Sequence, residues 1–195
     1  MNIDNAPASI AIAILAGGQS RRMGQDKASL MLDGQSWLER MIDAARTISP
    51  SVAVVGRGGA RADIGWLSDE APGLGPMGGL RTALAHLNQP VLLVGCDMPR
   101  VDASALGWLM RAAQESGAKY GVATRRQGRI EPLFSVYDPA VLGRIDARIA
   151  AQKLSLRALI EAGGFDFVEP PQSVGERLLN INTPQELRKF LDPED

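Results

Sequence analysis

The sequence predicts a three-layer α/β fold with a mostly parallel, twisted sheet, and three observations lead there. The runs Ile10 to Leu15, Ser51 to Val55 and Val91 to Val94 are apolar without alternation, as expected of strands buried on both faces. Helical patterns separate them, so strands and helices alternate along the chain. Each run stops within two residues of a glycine, and open α/β sheets gather ligands at the carboxyl ends of their strands. At 195 residues the chain suffices for one such domain, near the upper end for a single core.

The first run enters Ala16-Gly17-Gly18, and a polar, basic turn follows as far as Lys27. Paired glycines expose backbone N–H groups with no Cβ to keep a ligand away, which is how a chain cradles phosphate. Arg21, Arg22 and Lys27 add cations to the same turn, arginine as a planar fork and lysine as a mobile point charge. An ordinary strand-to-helix turn with solvated basic residues is the plainer alternative. Gly24 is not followed directly by Lys-Ser/Thr, so this is no Walker A loop, and GxGxxG is absent after the first strand.

Ser29 to Leu32 is expected to be extended, with a turn at Asp33-Gly34. Ser36 caps a helix, Glu39 completes a capping box, and Leu38, Met41, Ile42 and Ala45 keep the helical period until Pro50 closes it. After the strand Ser51 to Val55 and Gly56-Arg57-Gly58-Gly59, residues 62–72 are polar, acidic and Pro-broken. Gly73-x-Gly75-x-x-Gly78 spells the dinucleotide fingerprint, but that motif needs a buried strand running straight into its first glycine. The loop Asp69 to Gly79 is instead read as a second glycine-rich loop, followed by a helix from Gly79 to Leu87. Val91 to Val94 then delivers Asp97 to the edge where Leu15 to Gly18 also end. A carboxylate there suits Mg²⁺, a hard cation that bridges oxygen ligands and phosphates.

Cys96 reads as a small core residue, since no base partner marks it as a nucleophile. Asp102 or Ser104 caps a helix carrying Leu106, Leu109, Met110 and Ala113, ended by Ser116-Gly117. Tyr120 to Ala123 is a strand, and Thr124 to Arg129 a basic connection that either meets an anionic second substrate or is a solvated loop. Pro132 interrupts the strand Ile130 to Tyr137 and suggests an edge or a bulge. Helices are expected after Pro139 and from Ser155 to Gly163, then strands Phe165 to Val168 and Leu178 to Ile181 around a polar loop, Pro170 to Gly175. Thr183, Pro184 and Glu186 take the N-cap, N1 and N3 positions of the last helix.

A net charge of −1 with 22% charged residues argues against a nucleic-acid groove while leaving room for a local cationic pocket. A single cysteine excludes an internal disulfide and a thiolate metal cage. His86, the one histidine, lies in a helical pattern far from any serine motif and reads as a satisfied or exposed side chain. The N-terminal stretch lacks a basic n-region and a long apolar run, so a cytoplasmic protein without a membrane span is expected.

LAGGQSRRMGQDK, Leu15 to Lys27, resembles the LAGGxSxRMGxDK motif of the MobA-like nucleotidyltransferases at every fixed position. The D…PG…GPxGG loop from Asp69, Cys96-Asp97-Met98-Pro99 and the closing NxNTPxEL from Asn180 resemble further segments of that family. The resemblance implies a Rossmann-like nucleotidyltransferase fold. It places Arg22 and Lys27 on the triphosphate, the backbone of Leu15, Ala16 and Gly17 against the base, Gly18 in the same nucleotide site, and Asp69 and Gly78 toward the nucleotide. Whether Asp69 accepts from guanine N1–H and N2–H, from two ribose hydroxyls, or only forms a turn stays open. Asp97 is the implied metal ligand, and Asn180 and Asn182 face the site, with satisfaction of loop backbone as their plainer role. Related cytidine-using enzymes often carry Asp at the Asn182 position, and Asn there points to guanylyl transfer. Gly56-Arg57 departs from the family, which has an asparagine contact to the nucleotide at this place.

What the resemblance implies for function is transfer of GMP from GTP to the terminal phosphate of molybdopterin, with Mg²⁺. The nucleotide would bind residues 10–100 and the acceptor residues 101–191 of a single domain. Small-molecule substrates and transient contacts with molybdenum cofactor insertion proteins and molybdoenzymes are the expected partners. The rivals are a cytidylyltransferase for the same pterin, a sugar-phosphate or isoprenoid nucleotidyltransferase, and a GTP-binding module without turnover.

Overall fold

A computed structural model describes residues 9–17, 27–32, 34–69, 73–181 and 183–191, with the backbone alone for Lys27 and Leu191. Its strands are β1 (Ala11–Leu15), β2 (Met31–Leu32), β3 (Gln35–Ser36), β4 (Val52–Val55), β5 (Gly65–Leu67), β6 (Val91–Gly95), β7 (Gly121–Arg126), β8 (Arg129–Tyr137) and β9 (Asp166–Val168). Its α-helices are α1 (Trp37–Arg46), α2 (Gly75–Leu87), α3 (Ala103–Gln114), α4 (Leu142–Ala150), α5 (Leu156–Glu161), α6 (Gln172–Gly175) and α7 (Pro184–Leu191). Seven strands form one sheet in the order β5-β4-β1-β6-β8-β7-β9, and β2 pairs with β3 alone.

β1, β4, β5 and β6 are mutually parallel, and β8 is antiparallel to both of its neighbours. β7 and β9 therefore run with the main set. The carboxyl ends of six strands and the amino end of β8 thus share one edge of the sheet. Ile12, Ile14, Leu92 and Val94 pack with Leu38, Met41 and Ile42 of α1 and Leu106 and Leu109 of α3. Ala11, Ala13, Val91 and Leu93 pack with Met77, Leu80 and Leu84 of α2, Ile145 of α4 and Leu159 of α5. With helices on both faces, alternation has no reason to appear in β1 or β6.

The expected cap of α1 is present: Ser36 Oγ accepts from Glu39 N–H at 3.2 Å while Ser36 N–H donates to the Glu39 carboxylate at 3.2 Å. α2 begins at Gly75, earlier than the expected Gly79, because Pro76 sits in the first turn with φ already helical and no N–H to satisfy. Gly78 and Gly79 are thereby helical and buried, not part of a ligand-facing loop. A Cβ on Gly79 would lie 2.7 Å from Leu15 Cδ2, so the second glycine serves close helix-to-strand packing.

β5 arises inside the stretch read as polar and broken. Its three residues pair parallel with β4, and the Trp66 indole N–H donates to the Arg61 carbonyl at 2.9 Å. A run that short carries no readable period. Asp102 is the cap of α3, accepting from Ala105 N–H at 2.9 Å, so Ser104 is not. Residues 170–175 contain α6 where a loop was expected, and Leu178 to Ile181 forms no strand. At the last helix Thr183 and Glu186 make the reciprocal capping contacts, 2.9 and 3.1 Å.

The basic connection after Ala123 is not a loop. β7 continues through Arg126, β8 starts at Arg129, and Gln127-Gly128 turns with φ of 51° and 76°, the pair of positive values that a tight hairpin needs. β8 is interior, so Pro132 does not mark an edge; it marks a bulge. Ala123 opposes Ser135 and Arg125 opposes Ile130, so β8 carries extra residues where Pro132 removes a ladder donor. Side chains close the gap: Ser135 Oγ accepts from Thr124 N–H at 3.2 Å and donates to the Glu131 carbonyl at 2.8 Å. The buried Tyr137 hydroxyl donates to the Pro132 carbonyl at 2.8 Å.

Candidate functional site

The shared strand edge brings together segments that are remote in sequence. Past the end of β6, Cys96 N–H donates to the Leu15 carbonyl at 3.1 Å, tying the β6 end to β1. Asp97 follows, half-buried, and its carbonyl accepts from Ile181 N–H at 3.0 Å. The C-terminal segment is thus carried to the carboxylate expected to hold metal. A Cβ on Gly95 would lie 2.5 Å from Asp97 Oδ1 and 3.3 Å from Leu133 Cδ1, which puts the carboxylate beside the β8 bulge. Asn180, one residue before the Ile181 contact, is half-buried, and its buried Oδ1 has no hydrogen-bond partner among the described residues. An acceptor oxygen left in that state suits a donor or a cation arriving with substrate.

On the other side of β1, Ala16 and Gly17 N–H both donate to the Val55 carbonyl, at 3.1 and 3.2 Å, and Gly56 N–H donates to Leu67 at 2.9 Å. This corrects the reading of Gly17 as a phosphate donor, because its N–H is already committed inside the sheet edge. What Gly17 provides is room: a Cβ there would lie 2.9 Å from Gly56 Cα, and one on Gly56 would lie 2.7 Å from Gly17 Cα. Two backbones in contact need glycine on both sides. At the place of the family's asparagine, Gly56 has φ of 84°, and Arg57 Nη2 donates to Ser29 Oγ at 3.1 Å, just past Lys27.

Asp69 stands two residues beyond β5 on the same edge, half-buried. Gly18, Arg22 and Asn182 lie outside the described residues, as do Arg21 and the Lys27 side chain; the Lys27 backbone opens a short 3₁₀ turn, Lys27–Ser29. Of the hairpin arginines, Arg125 stacks over the Phe167 ring at 3.7 Å, and Arg126 Nε lies 3.4 Å from Glu131 Oε1. Sequence reasoning missed Glu131. The signal was present, a carboxylate directly before a proline in an otherwise buried strand, opposite a run of arginines.

His86 Nδ1 lies 3.0 Å from the Thr82 carbonyl of its own helix, and Cys96 packs partly buried against the α1 and α3 side of the core. Among the described residues no three His, Cys, Asp or Glu side chains gather closely enough to hold a metal. No helix among them is long and apolar enough to cross a membrane.

Comparison with known proteins agrees with this fold. The family model described as "MobA-like NTP transferase domain" matches residues 12–166. A probable molybdenum cofactor guanylyltransferase of Carboxydothermus hydrogenoformans is 30% identical over 192 residues, covering 94% of this chain and 95% of that one. The molybdenum cofactor guanylyltransferase of Rhizobium meliloti is 34% identical over 197 residues, covering 90% and 88%. Among solved structures, molybdopterin-guanine dinucleotide biosynthesis protein A from Archaeoglobus fulgidus superposes with a TM-score of 0.77 at 22% identity, covering 92% of this chain and 95% of that one. A 2-C-methyl-D-erythritol 4-phosphate cytidylyltransferase from Thermus thermophilus shares the fold at a TM-score of 0.60 and 21% identity, with 92% and 95% covered. With the family model spanning most of the chain, the chain belongs to the MobA-like NTP transferase family and is a nucleotidyltransferase.

Proposed function

We propose that this protein transfers GMP from GTP to the terminal phosphate of the molybdopterin cofactor, giving the guanine dinucleotide and pyrophosphate. The observation that carries the reading is near full-length similarity, at 30 to 34% identity, to molybdenum cofactor guanylyltransferases. Asn182 supports guanine over cytosine. In this reading the nucleotide occupies residues 10–100, with the backbone of Leu15, Ala16 and Gly17 against the base and Asp69 at its ribose or base. The acceptor occupies residues 101–191.

An acceptor phosphate oxygen attacks the α-phosphorus in line; the new P–O bond forms as the bond to the β-phosphate breaks, and pyrophosphate leaves. Lys27 and Arg22 meet the charge that develops on the leaving group. Asp97 would hold Mg²⁺, with Asn180 and Asn182 contributing to the same site. The ion, when bound, supplies charge neutralisation and orients phosphate oxygens. No covalent enzyme intermediate is required, in keeping with a site built from a carboxylate, amides and cations. The reaction belongs in the cytoplasm, with hand-over to insertion proteins and molybdoenzymes as transient encounters.

Competition between equal GTP, CTP and ATP, with Mg²⁺ and molybdopterin, tests this by mass spectrometry of the dinucleotides. Guanine offers O6 as acceptor and N1–H and N2–H as donors. A site built for that pattern leaves polar groups unpaired with adenine, at about 1–3 kcal/mol each. Predominantly guanine dinucleotide is expected. Predominantly cytosine dinucleotide would make the chain a cytidylyltransferase, and no product would move it to another phosphate acceptor or to GTP binding alone.

A further inference from the structure

The β7–β8 hairpin carries three arginines to the strand edge, and their surroundings differ. Arg125 is stacked over Phe167, and Arg129 stands exposed at the start of β8. Arg126 is held from two sides: Nε by Glu131 Oε1 at 3.4 Å and Nη1 by the Gly175 carbonyl at 3.4 Å. Its side chain keeps 35% of its surface exposed whereas Glu131 keeps only 13%, so the carboxylate is the buried anchor and the guanidinium the accessible partner. Both contacts are at the long end of the hydrogen-bond range, and neither uses Nη2.

Strand register places this guanidinium near the reaction edge. Leu93 and Ala123 both oppose Ser135 across β8, so Val94 and Thr124 stand near one level, and Asp97 and Arg126 follow them by three and two residues. Two strand spacings separate β6 from β7, about 10 Å, a gap that an acceptor lying over the β8 bulge would bridge. The bulge itself is fixed by buried hydroxyls, with Ser135 holding the Glu131 carbonyl and Tyr137 the Pro132 carbonyl. Glu131 is therefore fixed through its backbone, and Arg126 through Glu131.

We propose that Arg126 is the acceptor-side anion anchor: its guanidinium fork receives a phosphate or similar oxyanion of the acceptor, pre-positioned by Glu131, the Gly175 carbonyl and the braced bulge. This rests on nucleotidyl transfer to an anionic acceptor. A planar fork held from behind offers paired donors to an oxyanion with little further ordering.

The test is calorimetric titration of inorganic phosphate into the protein loaded with a non-hydrolysable GTP analogue, for wild type, Arg126→Gln and Arg129→Gln. Phosphate affinity is expected to fall about tenfold or more in Arg126→Gln, by less than about twofold in Arg129→Gln, and nucleotide affinity to hold in both. Arg126→Lys retains the charge without the fork and is expected between wild type and Arg126→Gln, which keeps the test alive if the Gln variant folds poorly. The proposal is overturned if wild type binds no phosphate, if Arg126→Gln or Arg126→Lys binds it like wild type, or if Arg126→Gln loses nucleotide instead. Failure of guanylyl transfer in the nucleotide competition, with the phosphate results intact, would overturn the proposed substrates and leave the anchor standing.

Discussion

Ile181 N–H donates to the Asp97 carbonyl at 3.0 Å, so the strand end bearing the site carboxylate and the segment bearing Asn180 are fixed to one another. The contact is made by backbone and survives substitution of either side chain. It allows the Asp97 carboxylate to be removed while the local structure stays in place.

Asp97→Ala is accordingly expected to lower turnover about tenfold or more, with an unchanged circular dichroism spectrum and little change in melting temperature. Its activity should also lose most of its response to added Mg²⁺. Steady-state assays across a Mg²⁺ series check this, and full Mg²⁺-dependent activity in the variant would remove Asp97 from the metal site.

Gly56→Ala is expected to destabilise the protein by about 1–3 kcal/mol through backbone strain at φ of 84°, with a further penalty because its Cβ would press on Gly17 Cα. The displaced atom belongs to the strand end that leads into the LAGGQSRRMGQDK turn, so nucleotide affinity should fall as well. Urea unfolding gives the first quantity and calorimetric titration of GTP the second. A variant with wild-type stability would show that the two backbones separate at no cost.

Tyr137→Phe removes the hydroxyl that closes the β8 bulge and leaves the Pro132 carbonyl without its donor, a loss of about 1–3 kcal/mol at neutral pH. Burial also pushes the Tyr137 phenol above its ordinary value. A group raised in the fold stabilises below its unfolded pKa, about 10 for tyrosine, and that contribution disappears as pH climbs toward the native value, because only the unfolded chain releases the proton. Wild type should therefore lose stability from about pH 10 upward, and the Phe variant should lose less over the same span. Unfolding curves from pH 7 to 11 separate the two effects, and identical alkaline profiles would show that Tyr137 does not contribute to the loss.

The local sequence determined much of this protein. Unalternating apolar runs identified β1, β4 and β6 as strands buried on both faces, and Ser36 with Glu39 specified the start of α1 because capping is settled within four residues. The position of Asp97 just past β6 was equally legible, since it needs only a strand and its end. Other features depend on partners supplied by remote segments. β5 exists because β4 offers an edge for three residues to pair with, and Leu178 to Ile181 fails to be a strand because Ile181 pairs with the Asp97 carbonyl instead of a ladder. Gly17 reads as a phosphate cradle until Gly56 is seen against it. The hairpin arginines, alike in sequence, become three different groups only when Phe167, Glu131 and the Gly175 carbonyl are brought to them. Propensity and capping act over a few residues and are written locally, whereas backbone contact, strand register and ion pairing are set by which distant segments the sheet order makes neighbours.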